Sequence, residues 1–351
     1  MPLLALLAVV LLMPSGGALQ ALAWFARPAA LDEVVAQDTA DAQHTTDDAA
    51  AQRAVDVTDA ESIVPTEHPF LWRIEGNPPS YLYGTMHVGD PRLLALPDVV
   101  TEAFDSSDAL YVEIPFDVAT MSKVGAGSFL PLGTTLRDVL PEATLTRLRA
   151  FLDARDIPFA GISQLQPWAL STAIPSLVEP PSPEAGAPLD LMLWGRAGEL
   201  GHDRGSLETA EDQLGLFAGT DYDEQAQMIE RALDQIEEAA AEGRPIMEAL
   251  LLDYLAGDEG KLLGWADDEQ GDVDEGSPQE SDAQRRFTRN LVVDRNMFML
   301  EGILDLLDEH PDKSFFFAVG ALHQVGPYGL ASMLAGEGFE VTRIGAPPVG
   351  P

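Results

Sequence analysis

Two of the six histidines, His87 and His323, stand in the same local pattern: an apolar run, then Gly-x-x-His. Gly84-Thr85-Met86-His87 follows Tyr81-Leu82-Tyr83, and Gly320-Ala321-Leu322-His323 follows Ser314 to Val319. Neutral imidazole is a common ligand for transition metals. Two imidazoles and a carboxylate make an open site that keeps a place for water, and the metal lowers the pKa of that water. The carboxylate that best completes the set is Glu113, at the end of the apolar stretch Ala109 to Ile114. An unpaired carboxylate is unfavourable to bury, so Glu113 needs a metal, a proton or an arginine. Glycine ahead of each histidine permits backbone geometry that other residues resist, and close approach to a ligand.

Spacing alone also admits plainer roles. Both histidines could be hydrogen-bonded structural residues. Glu113 could cap a helix or pair with Arg73 or Arg92. Asp90-Pro91 could be a simple turn, Arg295-Asn296 a surface pair and Arg343 a solvated strand end. The remaining histidines sit elsewhere: His44 in an acidic stretch, His68 ahead of a strand, His202 in a Gly-rich turn and His310 after a helix. The chain has no cysteine, which excludes thiol nucleophiles, disulfides and cysteine metal clusters. It has no Gly-x-Ser-x-Gly elbow, which argues against a serine mechanism.

Two modules must position these residues. In the first, Phe70 to Ile74 turns at Gly76-Asn77-Pro78-Pro79 and returns as Tyr81 to Tyr83, a hairpin. The motif at His87, a helix over Pro97 to Ser106 and a strand over Ala109 to Ile114 follow. In the second, a buried strand over Ser314 to Val319 leads to His323, a helix over Gly329 to Ala335 and a strand over Phe339 to Ile344. The reading is an α/β fold: a central mixed sheet from two strand–Gly-x-x-His–helix–strand halves, with a helical insertion between them. Sites in such sheets form at the carboxyl ends of strands, where both histidines fall. The insertion has a helical stripe at Met228, Ile229, Ala232, Leu233 and Ile236, stopping near Gly243. Further helices are expected over 142–155, 165–178, 190–200, 245–256 and 283–309.

Composition bounds the rest. With 46% apolar residues the chain can bury a large core. Asp and Glu number 58 against 20 Lys and Arg, a net charge of −38. That surface repels nucleic acid and anionic lipid headgroups, and it suits a halophilic setting where salt screens self-repulsion. Residues 1–26 read as a signal peptide or N-terminal anchor: an apolar run from Leu3 to Met13 and a small-x-small site at Ala21-Leu22-Ala23. The expectation is an exported protein or an outward-facing anchored one. Residues 27–67 read as an acidic linker, 68–347 as the folded domain and 267–282 as an acidic loop within it.

The run Tyr83 to Pro91, with Leu96-Pro97 and Val112-Glu113, resembles the opening of the TraB/GumN/Tiki family. Phe317 to His323, with Gly326-Pro327 and Gly329-Leu330, is similar to its second signature. Gln166-Pro167-Trp168, Leu189-Asp190, Leu207-Glu208-Thr209 with Gln213, and Asp294-Arg295-Asn296 look like its central and late landmarks. The resemblance implies an α/β fold with the paired histidines and the upstream glutamate in one site. Animal Tiki members are described as metal-dependent proteases acting on secreted signalling proteins, with manganese or cobalt favoured. Carried over, His87, Glu113 and His323 form the metal-binding and catalytic group, and Arg295 and Asn296 take orienting or oxyanion roles. The chain is then expected to be a metallohydrolase acting on a peptide or protein, with zinc also admissible. A protein that captures a peptide or cofactor without turnover, and a hydrolase of a non-peptide substrate, are the alternatives.

Overall fold

The computed structural model describes residues 63–181, 184–218, 220–270 and 290–347. The N-terminal segment 1–26, the linker up to residue 62, residues 271–282 of the acidic loop and residues 283–289 of the last expected long helix lie outside the described residues.

Six segments form strands, most of them short apolar runs bounded by turn residues. These are β1 (Leu71–Ile74), β2 (Ser80–Thr85), β3 (Ala109–Val112), β4 (Asp203–Ser206), β5 (Phe315–Gly320) and β6 (Val341–Ile344). They form one mixed sheet in the order β4-β3-β5-β2-β1-β6. β2 and β5 pair in parallel, β5 and β3 do so, and β3 and β4 do so. β1 is antiparallel to both β2 and β6. The hairpin at Asn77-Pro78 therefore forms as expected, and β1 is the one strand of the six that runs against the others.

All six residues of β2 and of β5 are buried, as expected for strands covered on both faces. Alternation divides β5 between two cores. Phe315, Phe317 and Val319 join the larger one, and Phe316 and Ala318 the smaller. Each fully buried phenylalanine contributes roughly 1.5–3 kcal/mol. The helices that matter most are α1 (Asp98–Asp105), α2 (Pro167–Val178), α3 (Leu189–Leu200), α4 (Tyr222–Ala241), α5 (Ile246–Leu255), α6 (Arg295–Glu309) and α7 (Leu330–Gly336). α1 and α3 cover the smaller core through Val100, Phe104, Leu189 and Leu193. α2, α4 and α5 cover the larger one. α4 starts at a capping box of Asp221 and Glu224 and buries the expected stripe from Met228 to Ile236.

Three expectations change. The segment between the modules is not purely helical, because it also supplies edge strand β4, whose polar sequence Asp-Arg-Gly-Ser carries no apolar alternation. The acidic loop expected over 267–282 begins later, since residues 267–270 belong to the helix Glu259–Gln270. Within the described part of the late helix, a π-helical turn over Asn290–Asp294 stands directly before α6. No helix among the described residues is long and apolar enough to cross a membrane.

Candidate metal centre

The site gathers where the parallel strands end. Two residues past β2 comes His87. Directly after β5, a 3-10 turn over Ala321–His323 delivers His323. Glu113 follows β3, and Glu208 follows β4. The β3–β4 ladder continues past both strands, with Leu207 N donating to Val112 O at 2.9 Å and Glu208 N to Glu113 O at 2.8 Å. The first turns of two helices complete the set: Asp190 from α3, and Arg295 with Asn296 from α6. All seven side chains are buried, Asn296 completely.

Each imidazole is held by its Nδ1. His87 Nδ1 lies 2.7 Å from Asp190 Oδ2, and Thr85 Oγ1 donates to Asp190 Oδ1 at 2.5 Å. His323 Nδ1 lies 2.6 Å from Asn296 Oδ1. The Asn296 amide nitrogen donates to His323 O at 3.2 Å and to Tyr328 O at 2.7 Å. Acceptors on both Nδ1 atoms place hydrogens there, so in the neutral form of each ring the free lone pair is on Nε2. Metal-binding histidines are commonly oriented this way.

The two rings come together beside Gly320. A Cβ at this position would lie 3.1 Å from Glu113 Oε1 and 3.6 Å from both His87 Nε2 and His323 Cδ2. His87 Nε2 is 3.7 Å from Glu113 Oε1. The glycine clears the space that the three side chains face. Its φ is −48°, and Gly84 is not among the positive-φ glycines, so neither needs glycine for its backbone conformation. Gly84 is needed because a Cβ there would stand 2.8 Å from Phe70 Cβ and 3.0 Å from Ala321 Cα.

Glu113 finds an arginine, though neither Arg73 nor Arg92. Its Oε2 accepts from Arg295 Nη2 at 2.5 Å and Gln213 Nε2 at 3.3 Å, and its Oε1 accepts from Gly320 N at 2.8 Å. Arg295 also donates from Nε to Glu208 Oε1 at 2.8 Å and from Nη2 to Glu208 Oε2 at 2.5 Å. Arg73 pairs instead with Glu75, and Arg92 with Asp90 and Glu248. Arg295-Asn296 is a buried pair, not a surface one. Their hydrogen bonds go to Glu113, Glu208, His323 and Tyr328, which makes them positioning residues. Arg343 is not a solvated strand end: it lies over the Phe70 ring at 4.4 Å and pairs with Glu259. Asp90 is more than a turn, since its side chain caps the short helix Pro91–Leu94.

Burial disfavours a charge on either imidazole, but the neighbours differ. At His87 the carboxylates of Asp190 and Glu113 outweigh burial and push the pKa up to about 10. At His323 burial, reinforced by the Arg295 guanidinium, pushes it down to about 3. Burial would raise Glu113, yet Arg295 and the two rings hold it well below the usual carboxylate range.

The sequence reading placed His87, Glu113, His323, Arg295 and Asn296 together, and the structure brings all five into this centre. It did not assign a role to Asp190, Glu208 or Gln213. Their signal was present, since each stands in a landmark segment, but only the tertiary structure shows what they touch. Among the described residues, no three His, Asp or Glu side chains are close enough as they stand to enclose an ion. The donor types nevertheless fit a divalent transition metal: two imidazoles, each held at Nδ1, and a carboxylate, all beside Gly320.

Taken together, the fold and site define an α/β protein with a buried histidine–carboxylate centre at the edge of a largely parallel sheet. The chain belongs to the TraB/PrgY/gumN family, whose model matches residues 70–343. It is 31% identical over 315 residues to metalloprotease TIKI1 of Homo sapiens, covering 79% of this chain and 62% of that protein. It is 30% identical over 312 residues to metalloprotease TIKI1 of Danio rerio, covering 79% of this chain and 63% of that one. A metalloprotease TIKI homolog of Amphimedon queenslandica is 26% identical over 323 residues, covering 80% of this chain and 62% of its own length. The chain thus spans less than two thirds of the length of these relatives. No solved structure matches it.

Proposed function

We propose that this protein is a metal-dependent hydrolase, acting as a peptidase, with a divalent cation held by His87, His323 and Glu113. The observation that carries the reading is the paired backing of the imidazoles: each Nδ1 is held, by Asp190 or Asn296, and His87 Nε2, Glu113 Oε1 and the Cδ2 edge of the His323 ring all lie beside Gly320. Charge supports it. Asp190, Glu113 and Glu208 carry three formal negative charges against one positive on Arg295, a balance of 1 − 3 = −2 that a proton on His87 halves in the metal-free cluster and that a metal ion would meet in its place. A dication offsets that balance.

The bound metal supplies a Lewis acid and a water of lowered pKa. Asp190 and Asn296 fix the rings, as partners of metal ligands do. Arg295 holds Glu113 in place and keeps its charge tolerable in a buried setting. Glu113 serves as ligand or general base. Manganese or cobalt is the favoured metal, with zinc admissible. The metalloprotease names of the relatives support a peptide or protein substrate. An exported or membrane-anchored, halophilic protein is part of the same proposal and rests on the sequence.

The test treats the full chain with chelator, restores manganese, cobalt or zinc, and assays a panel of peptides and esters. Peptide cleavage that needs the metal and is lost in His87→Ala is the expected result. Cleavage indifferent to chelator overturns the metal. Ester cleavage alone moves the substrate out of the peptide class. Tight peptide binding without turnover replaces the enzyme with a binding protein.

A further inference from the structure

A cavity of about 330 Å³ opens beside His87, which forms part of its wall. Ligand sites run from roughly 300 to 1,000 Å³, so this one is sized for a single large side chain and its backbone. It lies between the loop after β2, the end of α2, residues 185–188 and the start of α5. The apolar wall includes Met86, Val88, Pro188, Met247 and Leu251. Methionine side chains adapt their shape, so such a wall accepts more than one apolar occupant.

The walls are fixed to one another next to the histidine. Gly186 N donates to Gly89 O at 2.7 Å, and Leu189 N to Val88 O at 3.3 Å. A Cβ on Gly89 would fall 2.0 Å from Gly186 O, so only glycine allows this approach. The same clasp sets Asp190 against His87. Cavity and centre therefore share one rigid corner.

The polar end of the cavity is acidic. Arg92 donates from Nη1 and Nη2 to Glu248, both at 2.8 Å, and from Nε and Nη2 to Asp90, both at 2.9 Å. Glu179 accepts from Ile246 N and Met247 N, both at 2.8 Å, at the start of α5. Three carboxylates against one guanidinium give a formal balance of 1 − 3 = −2. That guanidinium is already bound to two carboxylates. An arriving acidic group meets net repulsion here, and a basic one meets attraction.

We infer that this cavity is the substrate side-chain site of the centre and takes a peptide with a large apolar residue next to a basic one. The inference rests on the peptidase reading for the reaction, but the cavity's selectivity can be measured without turnover.

Four fluorescein-labelled peptides of the form Gly-Gly-X-Z-Gly-Gly, with X as Leu or Ala and Z as Lys or Asp, are titrated against the full chain in chelator. Leu-Lys binds tightest. Replacing Leu by Ala weakens binding at least tenfold. Replacing Lys by Asp weakens it several-fold, and this second loss fades in molar salt. Met247→Trp fills the cavity and removes the Leu advantage. Met247→Ala enlarges it and moves the preference toward a fifth peptide, with X as Trp and Z as Lys, a gain that a misfolded protein cannot give. Equal binding of all four peptides, or an unchanged preference in both variants, overturns the inference. The same peptides are then offered with manganese, cobalt or zinc. Selective binding without cleavage keeps the cavity and removes the peptidase, whereas cleavage without preference at X or Z does the reverse.

Discussion

Thr85 and Gly320 are register partners on the neighbouring parallel strands β2 and β5. His87 leaves the sheet two residues after the first, and His323 three residues after the second. One ladder position thus brings together two histidines separated by more than two hundred residues. The 3-10 turn over Ala321–His323 makes up the one-residue difference. Both rings arrive over Gly320, and this convergence is the basis of the proposed metal centre.

Asp190 fixes the His87 ring, so Asp190→Asn keeps the shape and removes the charge. Loss of such a partner lowers metal affinity by roughly 10–100-fold. Isothermal titration of the chelated protein with manganese measures it, with an unchanged circular dichroism spectrum as the control. Wild-type affinity in the variant means that Asp190 does not orient a ligand.

Gly320→Ala and Gly84→Ala should separate site from scaffold. The first puts a methyl group among Glu113, His87 and His323, and the expected result is at least tenfold weaker metal binding in a folded protein. The second drives a Cβ against Phe70 and Ala321, so its effect appears as lowered thermal stability. Overpacking of this kind typically costs about 1–3 kcal/mol. Similar melting and metal affinity in the two variants would mean that the glycines have interchangeable roles.

Arg295→Met leaves Glu113 and Glu208 buried without their shared cation. Breaking a buried pair from one side destabilises by about 3–5 kcal/mol. Urea unfolding in chelator reads this out, and adding Glu208→Gln should recover part of the loss. Full stability in Arg295→Met would show that the cluster tolerates its negative charge unaided.

Acid stability follows from the same contacts. The folded-state pKa of Glu113 is depressed from its ordinary value of 4.5. Its stabilising contribution is therefore present above that unfolded value and is lost as pH falls through the lower folded value. In chelator, urea midpoints are expected to fall below about pH 4.5, and Glu113→Gln should flatten that limb. An equally steep limb in Glu113→Gln would assign the acid sensitivity to other carboxylates.

Much of this centre was legible in the sequence because the residues that meet are punctuated by glycine at strand ends. Short apolar runs marked β2, β3 and β5, the carboxyl-end rule put His87 and His323 on one edge, and Glu113 stood out as the acid ending an apolar strand. β4 was not legible: Asp203 to Ser206 is polar and half exposed, and it is a strand only because β3 offers it an edge. Nor was the partner of Glu113. Arg73 and Arg92 were nearer along the chain, whereas Arg295 reaches it through the fold. The backing of each histidine, by Asp190 on α3 and Asn296 on α6, is likewise a tertiary fact. A reason for each glycine also needed the structure. Gly84 and Gly320 serve close approach, and the sequence alone offered unusual backbone geometry as an equal explanation.

The most direct test is metal content, by mass spectrometry, of the full chain purified after exposure to manganese, cobalt and zinc, beside His87→Ala and His323→Ala. The account predicts near-stoichiometric metal in the parent protein and little in either variant, with all three equally folded by circular dichroism. Metal retained in both variants, or none bound by the folded parent protein, would contradict a shared centre at His87 and His323.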